Sequence, residues 1–176
     1  MISLKNKYWR QAAIWLACVY ASIPVVRPLC EALRRLTHFS LLINIFLFGF
    51  LGMIVASFFK SKKLSLGAYL LVFSVVVSYV FGLSIIRIPE ERIHFLQYGL
   101  LAFFIQRAIR PDIKGDTAYL GTWVIVSLLG WLDEGIQHLV PGRYYDIRDV
   151  VLNSVSGLMA LSLDFIYRRF IHSKKG

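Results

Sequence analysis

The chain has little cysteine, little acid and little charge overall, and each shortage removes a class of function. Its two cysteines, Cys18 and Cys30, form no C-x-x-C pair, so a thiolate zinc site has no basis. No H-E-x-x-H spacing appears and no nucleophilic serine or cysteine motif supports a named reaction; neither a metal nor a cofactor is expected, and catalysis is left open. The 10 acidic residues against 20 basic ones leave a formal net charge of +10. A nucleic-acid-binding domain would gather that charge on one polar face within soluble sequence. Here Lys and Arg sit in short clusters between apolar runs, as residues flanking membrane helices do, so nucleic acid is not an expected partner. Charged residues make up 17% and hydrophobic residues 57%, against about 25% and about 45–50% in soluble domains. A globule of 176 residues has too little interior for so much Leu, Ile, Val and Phe, whereas a bilayer accepts the surplus at no cost.

What the chain does have is a series of apolar runs near the roughly 20 residues that cross a bilayer. They predict an all-α polytopic bundle of six transmembrane helices in one integral membrane domain, at about 9–27, 38–59, 65–88, 89–108, 118–138 and 149–167. The first run has Lys5, Lys7 and Arg10 before it, like a signal peptide, but Pro24, Pro28 and the lack of a small-x-small cleavage site argue for a retained helix. The fourth run reaches spanning length only if Pro89 opens it, with Glu90 and Glu91 in the first turn at the positive helix end. In the third run, Ser74, Ser78 and Gly82 form a small-residue stripe suited to a close neighbour. On a six-span path, Lys and Arg gather more heavily on the side of the termini, which predicts both termini in the cytoplasm.

The same path brings unusual polar residues to the opposite face. Glu91, His94 and Tyr98, three and four apart, share one side of the fourth helix, with Gln97 beside them. Glu134 and Gln137 end the fifth helix. The following loop supplies Arg143, Asp146 and Asp149; Asn153 lies one turn into the sixth helix, and Gly157 below it permits close contact. Acids this near hydrocarbon are costly unless paired, hydrated or turned inward. As a site, His94, Glu134, Glu91 and Asp149 are the candidates for proton transfer. Arg143 is the donor to a phosphate or carboxylate, and Gln137, Asn153, Tyr98 and Asp146 are candidate substrate contacts. As structure, the same set is a hydrogen-bonded network holding the bundle. Arg92, Glu90, Asp133, Arg148 and His138 read as interfacial residues, and Asp164 with Arg168, four apart, as a surface pair.

Two blocks carry a family resemblance: EERIHFLQYGLLAFF (Glu90 to Phe104) and WLDEGIQHLVPGRYYDIRDVVLNSVSGLMAL (Trp131 to Leu161). The pattern E-x-x-Q-x-x-x-P-G-R, then D-x-x-x-N-x-x-x-G, lands on Glu134, Gln137, Pro141, Gly142, Arg143, Asp149, Asn153 and Gly157. These blocks resemble the VanZ-like family of bacterial membrane proteins over a core at 89–161; the first three helices match only as generic apolar spans. Ser156-Gly157 departs from a Gly-rich step seen in many relatives, though serine is small enough to keep the packing. The resemblance implies a multi-pass protein of the bacterial cytoplasmic (inner) membrane, active in the cell envelope, in a family whose founding member is linked to glycopeptide antibiotic resistance. The expected partners are membrane lipids and a lipid-linked envelope precursor, bound or processed through an anionic or glycan group at the outer membrane surface. The alternatives are a non-catalytic scaffold or accessory subunit, or a small lipid transporter; the last lacks mid-membrane charges and evident inverted repeats.

Overall fold

The computed structural model describes residues 2–34, 38–60, 64–86, 88–113, 115–141 and 144–172. Among them, the regular elements are helical: α1 (Ile2–Arg34), α2 (Phe39–Phe59), α3 (Leu66–Ile85), a 3-10 turn (Pro89–Ile93), α4 (His94–Ile109), α5 (Thr117–His138) and α6 (Ile147–Tyr167), which runs on through a π-helical turn at Arg168–His172. Local chemistry sets several boundaries. Ser65 caps α3, its Oγ accepting from the amide of Ala68 at 3.3 Å. Ile88 is extended before Pro89, which then opens a 3-10 turn, so α3 cannot run into α4. Gly115, with φ of +78°, makes a left-handed turn between α4 and α5 that a side chain would strain.

Side-chain contacts give the helix directions. Tyr8 meets Arg107 and Trp15 meets Gln97, so α1 and α4 are antiparallel. Asn44 meets Arg92 at one end and Phe58 meets Tyr167 at the other, so α2 runs with α4 and α6. Tyr119 reaches Asp164, which sets α5 against α6. The innermost element is α4. Its Tyr98, Leu101, Ala102 and Ile105, spaced three and four apart, are buried against Ala12 of α1, Ala118 and Val126 of α5 and Leu161 of α6. Gly157 makes the α5–α6 approach close: a Cβ there would lie 2.8 Å from Val126 Cγ1. Of the stripe on α3, only Gly82 serves such an approach, since its missing Cβ leaves room for the Phe95 ring. Ser74 and Ser78 are exposed and bond carbonyls of their own helix.

Among the described residues, the expectation of six spanning helices is corrected to four. Asn6–Val26, Phe39–Phe59, Leu66–Ile85 and Ile147–Ile171 are long and apolar enough to cross a membrane, which makes this a multi-pass membrane protein. The helix α4 has 16 residues, about 24 Å at 1.5 Å per residue, short of a hydrocarbon core of about 30 Å. The helix α5 is long enough at 22 residues, but Asp133, Glu134 and Gln137 take it below the required apolarity. Neighbouring helices cover polar positions on both: Thr122 donates to Gln106 at 2.6 Å, and both are fully buried. Four spans, like six, return the chain to the side on which it starts, but the tally of Lys and Arg on the two sides changes once α4 and α5 no longer count as spans, so the cytoplasmic placement of the termini is not carried over.

Candidate functional site

A cleft of about 420 Å³ opens where the N-terminal ends of α4 and α6 meet the C-terminal end of α5 and the side of α1. Its polar wall includes Glu91, His94 and Gln97 from the 3-10 turn and α4, with Asp133 and Gln137 from α5. Asp146, Arg148 and Asp149 complete it from the loop and the first turn of α6; Ser22 and Val26 of α1 face them. Thus Glu91, His94, Gln137, Asp146 and Asp149 of the expected set share one cavity. Tyr98, Glu134 and Asn153 lie behind that wall, and each is at most 1% exposed. Arg143 lies outside the described residues.

His94 is held from below. Its Nδ1 lies 2.8 Å from Asn153 Oδ1, and Asn153 Nδ2 donates to the Gly130 carbonyl at 3.4 Å. Because the amide nitrogen is turned to that carbonyl, Oδ1 is the acceptor and Nδ1 carries the proton. The tautomer this bond selects keeps its lone pair on Nε2, on a side chain that lines the cleft. Tyr98 supports the imidazole, with parallel rings and centroids 6.1 Å apart. Gly130 permits the arrangement, since a Cβ on it would stand 2.7 Å from Asn153 Cβ and 3.3 Å from Tyr98 Cε1.

A second layer is built on α5. Gln137 Nε2 donates to Asp133 Oδ2 at 3.2 Å and to Glu134 Oε1 at 3.0 Å, while Glu134 Oε2 accepts the amide of Asp146 at 3.3 Å. Glu134 thus ties the end of α5 to the entry of α6. The interfacial reading of Asp133 is overturned, because Asp133 is fully buried. It extends the buried stripe Thr122, Val126, Gly130, Asp133 and Gln137, whose three- and four-residue steps are visible in the sequence. Arg92 is more than an interfacial charge: it donates to the Ile86 carbonyl and to Asn44 Oδ1, fastening the α3–α4 link to α2. Asp164 and Arg168 do pair, at 2.7 Å, but with side chains only 7% and 20% exposed rather than on the surface.

Asp146 is engaged before any ligand arrives. It accepts the Arg148 amide at 2.9 Å as the cap of α6, and the Arg148 guanidinium grips both of its oxygens. The Arg148 side-chain bonds, then its amide, hold the Asp146 carboxyl below its usual range. A depressed carboxyl stabilises the fold above the unfolded-state value, and the contribution is lost as pH falls through the folded one. The pair is solvent-screened, so the cap is the larger effect. Asp146→Ala is expected to lower stability by about 1 kcal/mol at neutral pH. The gap should narrow below about pH 4, read by thermal unfolding in detergent.

Among the described residues, no three His, Cys, Asp or Glu side chains converge as they would around a metal ion. The described charges facing the cleft are mostly acidic, with Arg148 already committed to Asp146. Such a wall accepts hydrogen bonds more readily than it attracts an anion.

The VanZ/LLP1 family model matches residues 89–168, which supports membership in that family over this part of the chain. The matched segment begins at Pro89 and takes in α4, α5 and α6, the elements that build most of the cleft. No curated protein and no solved structure matches the chain.

Proposed function

We propose that this protein binds the hydroxyl-rich polar group of a membrane amphiphile, a lipid-linked envelope glycan of the bacterial cytoplasmic membrane, in the cleft above Asn153. His94 is the residue that exchanges a proton with it. The observation that supports this most is the His94–Asn153–Gly130 chain, which keeps the Nε2 lone pair of a cleft-lining side chain available. Glu91, Asp149 and Gln97 supply acceptors and an amide of the kind sugar hydroxyls meet. Asp133 and Glu134 act in this reading as positioning residues through Gln137, and Tyr98 as the support of the imidazole. Arg143, next but one in sequence after Pro141, is the candidate donor to a phosphate or carboxylate on the same substrate.

The test is binding of monoglucosyl diacylglycerol against diacylglycerol with the same chains, by native mass spectrometry of the detergent-solubilised protein. Hydrogen bonds from two or three hydroxyls should favour the glycolipid by about tenfold. His94→Gln and Asp149→Asn should remove the preference while leaving the unfolding temperature near that of the wild type. Equal binding of the two lipids by the wild type would end this reading. One observation favours a scaffold instead: the buried Asn153 and Glu134 each bond across between α5 and the entry of α6, and the buried Gln137 holds Glu134 within α5. Variants that lose stability without changing glycolipid binding would support that second reading.

A further inference from the structure

A second cavity, of about 440 Å³, lies between α2 and the α4–α6 pair, away from the polar cleft. Its walls are almost wholly apolar, with Leu51 and Ile54 from α2, Phe95, Leu100 and Phe103 from α4, and Leu163 from α6. Along α4 it extends from Phe95 to Arg107, about 18 Å of helix rise, close to the depth of one leaflet of a 30 Å core. It ends at Arg107, with Ser57 and Asp164 beside it.

The charges at that end are unevenly satisfied. Asp164 already accepts from Arg168 Nε at 2.7 Å and from the Tyr119 hydroxyl at 3.1 Å. Among the described residues, Arg107 has only a long bond of 3.4 Å to the Tyr8 hydroxyl and stacking against the rings of Phe103 and Tyr8, at 4.5 and 5.7 Å. Its Nε is buried and has no hydrogen-bond partner among the described residues. A guanidinium with unused donors at the end of an apolar channel one leaflet deep calls for an occupant with a tail and an anionic oxygen head. We propose that this groove binds one acyl chain of an anionic phospholipid, with the phosphate of that lipid held by Arg107. The headgroup sits at the end of the bundle remote from the polar cleft, and the chain lies between α2 and the α4–α6 pair, so this lipid is a resident of the fold, independent of any substrate taken in the cleft.

Native mass spectrometry of the full chain in detergent, titrated with dioleoylphosphatidylglycerol or dioleoylphosphatidylcholine, tests this. The wild type should retain one phosphatidylglycerol about fivefold more tightly than phosphatidylcholine, the effect of one well-placed basic residue. Arg107→Gln should bring the two lipids to equal affinity. Leu100→Trp, which fills the channel and keeps the charge, should weaken both lipids alike. Millimolar inorganic phosphate should displace neither lipid. No headgroup preference in the wild type would overturn the proposal even if Arg107→Gln failed to fold. So would a preference that survives Arg107→Gln, lipid retention unchanged by Leu100→Trp, or displacement by phosphate, which would make Arg107 a site for free anions.

Discussion

Replacing Gly130 with alanine is expected to destabilise the protein by about 1–3 kcal/mol and to detach His94 from its support. The added methyl would stand 2.7 Å from Asn153 Cβ and 3.3 Å from both Asn153 Nδ2 and Tyr98 Cε1. None of these is the loose end of a long side chain. Asn153 Cβ is fixed to the backbone of α6, and Tyr98 is fully buried in α4. The helices must therefore move apart, and the Asn153 bonds to His94 and to the Gly130 carbonyl lengthen together. Thermal unfolding in detergent measures the first effect. Nitrogen NMR of labelled histidine, at a pH where imidazole is neutral, measures the second: Nδ1 carries the proton in the wild type, and that preference weakens in Gly130→Ala. An alanine variant with wild-type stability and tautomer would mean that the three helices do not meet as described. Gly135→Ala is the control, since a Cβ there meets nothing within 4 Å.

Gln137→Leu should cost about 3 kcal/mol or more. It removes two hydrogen bonds to carboxylates at 3.2 and 3.0 Å, each worth about 1.5–3 kcal/mol, from acids with almost no access to water. The fold is affected beyond the pair, because Glu134 also accepts the Asp146 amide and so joins α5 to α6. The substitution Gln137→Glu separates charge from packing. It puts a third carboxyl between two others, which disfavours ionisation and raises the folded-state pKa of the new group. Its penalty should be largest at neutral pH and shrink as acid protonates it, whereas the Gln137→Leu penalty should not recover in that way. Unfolding curves at pH 5 and pH 7.5 distinguish the two variants. A loss below 1 kcal/mol for Gln137→Leu would show that the amide does not hold these acids.

Much of the site was legible in the sequence, for local reasons. Pro89 with two glutamates after it announces a helix start, and the chain does turn there, although through a 3-10 turn before α4. Gly157, one turn beyond Asn153, marks a close approach, and Val126 fills the space it leaves. His94 and Asn153 each lie near the start of their helices, which brings them to one level, and they bond. What could not be read was the rotation of each helix. Asp133 and Glu134 are neighbours in the chain, and reading one as interfacial and the other as inward-facing assumed a rotation of α5 that only its packing sets. Both are buried, Asp133 at the wall of the cleft and Glu134 under the amide of Asp146, while Trp131 and Leu132 on the same turn are exposed. The four-residue step from Asp164 to Arg168 shows their pairing in the sequence, but nothing near Arg107 in the chain shows that Tyr8 and Phe103 flank it at the end of an apolar channel.

The sequence by itself determined the solvent: its apolar runs carry more Leu, Ile, Val and Phe than a soluble domain of this length could bury, although it read six spans where the helices give four. It also determined that polar chemistry collects between Pro89 and Asn153. The tertiary structure decided that α4, too short to count as a span, lies at the centre of the bundle, that His94 is gripped through Asn153, and that an apolar channel ends on Arg107. Apolarity is a property each segment carries alone, summed residue by residue. Whether a polar side chain meets lipid, water or another helix depends on which neighbours close around it, and that is settled only when the helices pack.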